Sequence, residues 1–163
     1  MIGLLSDSHD NHSAVREAVR VLRGRAVDLV IHCGDVTTAE TLSLFAGVPL
    51  RLVLGNNDCD VTELRRTARR LGCGEIGEEL HLTIEGKRLL VYHGTEPARL
   101  RRELASAQWD YILTGHTHRV ADEQHGPTRL INPGALWRAA EYTVALLSPG
   151  ANVVSFINIP RNS

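Results

Sequence analysis

Short apolar runs in this chain stop repeatedly at residues that can bind a metal. The five runs and the residues that follow them are MIGLLS with Asp7 and His9, DLVIHCG with Asp35, RLVLG with Asn56, RLLVY with His93, and YILTG with His116 and His118. Such side chains can fall anywhere along a strand, so their repetition at one end of every run needs a common cause. In open α/β sheets the ligand crevice lies outside the carboxyl ends of the strands. The pattern therefore predicts a sheet with a metal site at its carboxyl edge.

Strands and helices alternate in the first part of the chain, and the rest is rich in strands. Strands are predicted over about 1–6, 28–33, 50–54, 79–85, 88–93, 110–114, 119–124, 128–131, 141–147 and 152–158. Helical spacing of apolar residues follows each of the first three strands and recurs near 97–107. The initial βαβαβα order implies parallel strands with right-handed crossovers. We expect an α/β fold in which helices cover a mixed sheet from the first half, while antiparallel strands from the second half build another sheet.

Length, hydropathy and charge limit the class of protein. With 163 residues the chain is long enough for one domain, which we expect over 1–163, and too short for two of ordinary size. No apolar run approaches the roughly 18 residues of a membrane span. We therefore expect a cytoplasmic protein with no membrane partner. The formal net charge of −1 provides no strong positive field, which disfavours nucleic acid as a partner.

Carboxylate chemistry predicts how the metal-capable residues divide. A carboxylate can bridge two cations, as a neutral imidazole cannot, and Asp35 follows a strand in the middle of the predicted sheet. We expect two metal shells that share Asp35. One shell is Asp7, His9, Asp35 and His118, and the other is Asp35, Asn56, His93 and His116. This mixture of nitrogen and oxygen ligands suits Mn²⁺, Fe, Co, Ni or Zn²⁺ better than Ca²⁺.

The charge of such a centre predicts its substrate. Two divalent cations, two aspartates and a bridging hydroxide leave a charge of roughly +1, which attracts a phosphate group. A metal-bridging hydroxide is available near neutral pH and can attack phosphorus in line. The residues therefore predict a binuclear metal-dependent phosphoesterase that acts on a small-molecule phosphate ester.

The same residues form an ordered set of motifs with a family resemblance. The motifs are D-x-H (Asp7, His9), GD (Gly34, Asp35), GN-x-D (Gly55, Asn56, Asp58), HG (His93, Gly94) and GHxH (Gly115 to His118). This set resembles the calcineurin-like metallophosphoesterases. The short length, the NPG segment at Asn132 to Gly134 and the strand-rich end are similar to the small YfcE-type phosphodiesterase branch. The resemblance implies a four-layer αββα sandwich, a phosphodiesterase activity, a dimetal centre often active with Mn²⁺, and the same division of ligands.

The chain departs from that family after the GN motif. Many members carry a histidine there that binds the phosphate and can protonate the leaving group, whereas this chain has Asn57. An asparagine can donate a hydrogen bond to a phosphate oxygen but supplies no proton. We therefore assign Asn57 and Asp35 as catalytic residues and expect a bias toward good leaving groups such as aryl esters, unless Asp58, a water or another group acts as the acid.

Two other functions remain open from the sequence. One is a non-catalytic scaffold protein on the same fold, of the kind represented by the retromer subunit Vps29. The other is a nucleic-acid phosphodiesterase, against which the near-neutral charge counts. The retention of all the ligand types argues against the scaffold. The sequence also leaves open whether the chain forms a homo-oligomer.

Overall fold

The fold is that of a computed structural model, which describes residues 1–161. The first half contains strands β1 (Ile2–Leu5), β2 (Leu29–His32) and β3 (Leu50–Leu52), with helices α1 (His12–Gly24), α2 (Ala39–Ser43) and α3 (Val61–Leu71). The second half contains strands β4 (Glu79–Ile84), β5 (Lys87–Tyr92), β6 (Tyr111–Leu113), β7 (Val120–His125), β8 (Thr128–Pro133), β9 (Tyr142–Ser148) and β10 (Val153–Ile159), with helix α4 (Pro97–Ser106). The order of elements is the one that the sequence predicts.

The strands form two mixed sheets. The first has the order β10-β9-β1-β2-β3, and the second has the order β4-β5-β6-β8-β7. Strands β1, β2 and β3 are parallel, as are β5, β6 and β8, whereas the remaining strands pair antiparallel. The carboxyl ends of three neighbouring parallel strands therefore meet at one edge in each sheet.

The second half builds another sheet, as predicted, but not all of its strands join that sheet and not all of them pair antiparallel. Strand β9 crosses to the first sheet and pairs with β1, so that Gly3 faces Leu146, and β10 follows as the edge strand. The centre of the second sheet is parallel. The physical reason is burial, because Thr143 to Leu147 are buried without interruption, and a strand of that kind belongs inside a sheet covered on both faces.

Three apolar clusters separate four layers. Between the sheets, Leu4 and Ile31 of the first sheet pack with Val91 and Leu113 of the second. Helices α1 and α3 cover the outer face of the first sheet. Helix α4 covers the second sheet, where its Leu100 joins a cluster on the outer face. The predicted α/β sandwich, with two packed mixed sheets flanked by helices, is confirmed.

Helix α1 packs closely on strand β1. A Cβ atom at Gly3 would lie 2.8 Å from a methyl carbon of Leu22, so the glycine permits the close approach of helix and strand.

Within residues 1–161, the helices are all too short or too polar to cross a bilayer.

Candidate metal centre

The loops that follow β1 and β2 are joined by backbone hydrogen bonds. The Asp7 N–H donates to the Gly34 carbonyl oxygen at 3.0 Å. The N–H groups of Ser8 and His9 donate to the Asp35 carbonyl oxygen at 3.1 and 3.2 Å. These bonds continue the parallel pairing of the two strands beyond their ends. They bring two of the predicted carboxylate ligands and one predicted imidazole to the same point.

Four predicted ligands surround one small volume. The Asp35 Oδ2 atom lies 3.4 Å from His9 Nε2 and 3.2 Å from His93 Nε2. The Asp7 Oδ1 atom lies 3.8 Å from both of these imidazole nitrogens. Loops of both sheets therefore supply ligands to one cluster, which lies at the carboxyl ends of the parallel strands.

The two histidines of the GHxH motif flank this cluster on different sides. His118 Nε2 lies 3.3 Å from Asp7 Oδ1, and the His118 ring centroid lies 5.4 Å from that of His9. The His116 ring centroid lies 5.2 Å from that of His93. The structure thus pairs the histidines as the sequence assigns them to two shells, His9 with His118 and His93 with His116.

The compact groups of ligand atoms differ in one respect from the predicted shells. Asp7, His9 and His118 form one group and Asp7, Asp35 and His93 form another, with the ligand atoms of each within 4.8 Å of one another. Asp7 is common to both groups, whereas the sequence assigns the shared position to Asp35. The Asp35 carboxylate nevertheless contacts one histidine of each predicted shell, because its Oδ2 atom reaches both His9 and His93.

His93 is oriented by a backbone carbonyl. Its Nδ1 atom lies 2.8 Å from the Cys33 carbonyl oxygen. Because a carbonyl only accepts hydrogen bonds, Nδ1 carries the proton and Nε2 keeps a free lone pair in the neutral ring. The Nε2 lone pair is directed at the carboxylates, which is the orientation that a metal ligand requires.

Buried polar atoms in the cluster fit a cation. Among residues 1–161, Asp7 Oδ1, His9 Nε2 and His93 Nε2 are buried without a hydrogen-bond partner. Buried polar atoms normally have partners, since leaving one without a partner is costly. A divalent metal would bond to each of these lone pairs, and the oxygen and nitrogen donors suit a transition metal.

The electrostatics of the cluster also favour a cation. Burial by itself would raise the pKa of Asp7 and of Asp35, but contacts with His9 and Ser6 lower the pKa of Asp7, and contacts with His93 and Asn57 lower that of Asp35. Contact with the Asp7 carboxylate raises the pKa of His9. The two carboxylates therefore remain ionised, and they attract a proton or a metal to the rings beside them.

The backbone is strained at most of the predicted ligands. Positive φ angles between 39° and 67° occur at five of them, namely Asp7, His9, Asp35, His116 and His118. Residues with a Cβ atom rarely adopt this left-handed region, and such strain is concentrated at functional sites. The hydrogen bonds between the loops hold the ligands in these conformations.

Asn56 and Asn57 occupy different positions relative to the cluster. Asn57 donates to the Asp35 carboxylate twice, from its backbone N–H to Oδ1 at 2.8 Å and from Nδ2 to Oδ2 at 2.7 Å. Asn56 is exposed and lines a cavity next to His93. The Asn57 side chain is therefore fixed on the predicted bridging carboxylate, whereas Asn56 shares only the lining of the cavity with His93.

Asp58 has a role in the loops that sequence reasoning did not assign to it. The sequence allows Asp58 to act as an acid, but its carboxylate is buried and accepts from three backbone N–H groups, those of Asp35, Thr37 and Gly55, at 3.0, 2.6 and 2.7 Å. It thereby ties the loop after β2 to the loop after β3. The G-N-x-D spacing was the available signal, because Asp side chains commonly bond backbone N–H groups of their own turn.

Ser8 and His32 form a second support that sequence reasoning missed. His32 is buried, its Nδ1 atom accepts from the Gly34 N–H at 3.2 Å, and its Nε2 atom lies 3.0 Å from Ser8 Oγ. Burial lowers the pKa of His32 to about 4, so the ring is neutral and Nε2 donates to the hydroxyl. The buried ring therefore joins the loops of Asp7 and Asp35.

The loop of the GHxH motif is held by Asn132. Its Nδ2 atom donates to the Gly115 carbonyl oxygen at 2.7 Å and to Thr117 Oγ1 at 3.1 Å. Its Oδ1 atom accepts from the Gly134 N–H at 2.9 Å. The NPG segment thus shapes a loop of the metal centre rather than supplying a ligand.

Comparison with solved structures shows the same fold in three proteins. An archaeal phosphodiesterase superposes with a TM-score of 0.91 at 24% identity, over 97% of this chain and 99% of that one. YfcE, a phosphoesterase from E. coli, gives a TM-score of 0.68 at 18% identity over 98% and 99% of the two chains. Vacuolar protein sorting 29 from Cryptosporidium parvum gives 0.66 at 18% identity over 98% and 97%.

Sequence comparison identifies the family. Phosphodiesterase MJ0936 of Methanocaldococcus jannaschii is 27% identical over 136 residues, which cover 82% of each chain. The sequence profile described as the calcineurin-like phosphoesterase superfamily domain matches residues 1–151. This range contains all the motifs that carry the resemblance, as well as the strands whose ends support the cluster. The chain therefore belongs to the calcineurin-like phosphoesterase superfamily.

Proposed function

We propose that this chain is a binuclear metal-dependent phosphodiesterase. The observation that carries the proposal is the position of the Asp35 carboxylate, whose Oδ2 atom lies 3.4 Å from His9 Nε2 and 3.2 Å from His93 Nε2. A carboxylate between imidazoles of two ligand groups is the arrangement that a pair of metals requires. A similar protein named a phosphodiesterase supports the choice of a diester over a monoester.

Two groups of residues would hold the metals. As the sequence assigns them, Asp7, His9, Asp35 and His118 would bind one ion, and Asp35, Asn56, His93 and His116 would bind the other. The compact groups Asp7–His9–His118 and Asp7–Asp35–His93 support part of each assignment. Mn²⁺ is the first candidate, with Fe, Co, Ni and Zn²⁺ as alternatives for the same donors. When bound, two such ions supply a nucleophilic oxygen near neutral pH and stabilise the charge that develops on the phosphate oxygens.

The residues of this chain then orient the ester. The Asn57 amide has two N–H bonds, of which one is donated to Asp35 and the other is available to a phosphate oxygen. Hydrolysis forms a bond between the oxygen of water and phosphorus, breaks the ester P–O bond, and releases the alcohol with a proton from water. Asp58 accepts from three backbone N–H groups and is a poor candidate for the acid, so aryl esters, which need little protonation, are the expected good substrates.

The test replaces Asp35, the predicted bridging ligand of the two metals. Asp35→Asn should lower kcat/KM for bis(4-nitrophenyl) phosphate by at least about 100-fold, because even the loss of a residue outside the ligand shell commonly costs 10- to 100-fold. The matched control is Asp60→Asn, a change at the exposed N-cap of α3, where asparagine caps as well as aspartate. The control should retain wild-type activity. Equal activity of Asp35→Asn and the wild type would remove Asp35 from the metal centre.

A scaffold function is the second candidate. The similarity to vacuolar protein sorting 29 favours it, since that name describes a sorting protein on the same fold. Elemental analysis and turnover assays distinguish the two candidates. An enzyme should hold about two transition metals per chain and hydrolyse aryl phosphodiesters, whereas protein that takes up no Mn²⁺ and turns over no ester would support the scaffold.

A further inference from the structure

A cavity adjoins the proposed metal centre on the side of Asn56 and His93. Its walls come from the loop after β3, the segment before β4, the end of β5 and the first turns of α4. Asn56 and His93, two proposed ligands, belong to the lining. A phosphate held at the metals would therefore direct one of its substituents toward this cavity.

The size of the cavity limits the substituent. Its volume is about 220 Å³. Typical pockets for drug-sized ligands are larger, from about 300 Å³ upward. The cavity accommodates a small alcohol substituent, and a larger substituent would extend beyond it into solvent.

The charges of the lining favour a group that donates hydrogen bonds. Glu78 and Glu96 are exposed carboxylates of the lining, and Glu96 precedes α4 without making a side-chain cap bond. The one guanidinium of the lining, that of Arg99, already forms an ion pair with Glu79 and lies 4.7 Å from the centre of the Tyr92 ring. The carboxylates can accept from hydroxyl or ammonium groups and would repel a second anion.

Tyr92 adds a polar group without a partner. It lines the cavity, is only 3% exposed, and its hydroxyl makes no hydrogen bond within the described residues 1–161. Buried hydroxyl groups are normally hydrogen-bonded. A ligand group with a donor or an acceptor would give this hydroxyl the partner that the protein does not supply.

We infer that this cavity binds a small alcohol substituent bearing hydroxyl or ammonium donors, and that Glu78 and Tyr92 recognise it. The inference rests on the proposed phosphodiesterase function and narrows it to diesters of small polyols or amino alcohols. It disfavours esters with anionic substituents. In each predicted contact, a hydroxyl or ammonium group of the substrate donates a hydrogen bond to Glu78 or Tyr92.

The test compares four 4-nitrophenyl phosphodiesters that share a leaving group. Their second substituents are 3-hydroxypropyl, 3-aminopropyl, n-butyl and 2-carboxyethyl, which are similar in size. We expect kcat/KM for the hydroxyl and ammonium esters to exceed that of the butyl ester by about tenfold, as for a site built to hydrogen-bond its substrate. The carboxylate ester should be the poorest substrate. The ratio of the first two esters tells whether a neutral or a cationic alcohol is preferred.

Two variants and one control assign the preference to the cavity. Glu78→Gln and Tyr92→Phe should each reduce the preference over the butyl ester to within about threefold, because the first removes the carboxylate charge and the second removes the hydroxyl group. The control is Glu75→Gln, a change at an exposed glutamate of the same segment that does not line this cavity. The control should keep both the preference and the activity.

A binding measurement separates this inference from the proposed function. Calorimetry with Mn²⁺-loaded protein should show tighter binding of 3-aminopropyl phosphate than of butyl phosphate, with the difference reduced in Glu78→Gln. Hydrolysis of all four esters at equal kcat/KM would overturn the inference and leave the phosphodiesterase function standing. If none of the esters is hydrolysed, the proposed function fails, and equal affinity for the two monoesters then overturns the inference as well.

Discussion

Gly55 lies against the predicted bridging ligand with no room for a side chain. A Cβ atom at this position would lie 2.1 Å from Asp35 Oδ1 and 2.5 Å from the Asp35 backbone nitrogen. Both atoms belong to a buried residue that is also held by Asn57 and Asp58. The metal centre therefore depends on a residue that contributes no ligand atom.

Gly55→Ala should displace Asp35 and reduce the metal content. We expect a loss of about 1–3 kcal/mol in the free energy of unfolding, as for other overpacked sites, and less than one metal per chain by elemental analysis. The control is Gly24→Ala at the end of α1, where a Cβ atom meets nothing within 4 Å. The control should keep its metals, and its stability should change by no more than about 1 kcal/mol. A full metal complement in Gly55→Ala would contradict the crowding at Asp35.

The sequence predicts which residues can be metal ligands, but it does not predict which residues hold the loops of those ligands in place. Asp7 and Asp35 stand out because each follows an apolar run, a pattern that depends only on neighbouring residues. The roles of His32 and Asp58 depend on bonds to loops 24 and 23 residues away in the sequence. No local periodicity encodes such contacts, so the supporting residues appear only in the folded chain.

The turn between strands β9 and β10 of the first sheet is linked to the second sheet through Tyr111. Tyr111 of β6 is buried in the second sheet, and its hydroxyl lies 3.1 Å from the Pro149 carbonyl oxygen and 2.7 Å from Asn152 Oδ1. Both partners lie in the turn of the first sheet's outer hairpin. One phenol therefore links a central strand of one sheet to an edge of the other.

Tyr111→Phe should destabilise the fold without changing the metal centre. Loss of the hydroxyl removes two hydrogen bonds, but Arg129 still donates to Asn152 Oδ1 and the Asn152 N–H still donates to the Pro149 carbonyl oxygen. The free energy of unfolding should therefore fall by about 1 kcal/mol in urea titrations. The control is Tyr142→Phe on β9, whose ring is half-buried and packs against Arg161. If both variants lose equal stability, the link through Tyr111 contributes nothing specific.

The sheet that each strand joins was harder to predict than the strand itself. An alternating pattern of apolar and polar residues predicts β4, because a period of two residues is a local property. The uninterrupted burial of β9 comes from a TVALL run that is typical of a central strand. The sequence does not tell which sheet such a strand enters, because that choice depends on packing between distant segments.

The proposed metal centre takes its ligands from both halves of the molecule. Asp7, His9 and Asp35 come from loops of the first sheet, whereas His93 and His118 come from loops of the second. Bound metals would therefore cross-link the two sheets at their carboxyl edge. Binding to the folded state alone stabilises it by mass action.

Addition of Mn²⁺ should raise the melting temperature of chelator-treated protein. At a free concentration 100 times the Kd, each site should add about 2.7 kcal/mol to the free energy of unfolding. His118→Ala should lose part of this gain. The control is His125→Ala, at an exposed position on β7 where the ring contacts Glu123, and it should show the full gain. A melting temperature that does not respond to Mn²⁺, Zn²⁺ or Co²⁺ would contradict a metal centre between the sheets.

The left-handed backbone at five of the proposed ligands has a consequence for protein engineering. A non-glycine residue in that region costs about 1 kcal/mol or more, whereas glycine adopts it freely. Libraries selected for heat resistance in the presence of a chelator, where no bound metal stabilises the fold, should therefore accumulate glycine at His9, His116 and His118. Asp7 and Asp35 should persist, because their carboxylates accept backbone hydrogen bonds that glycine would lose. Selection for stability without metal would therefore remove imidazole donors from the proposed metal centre.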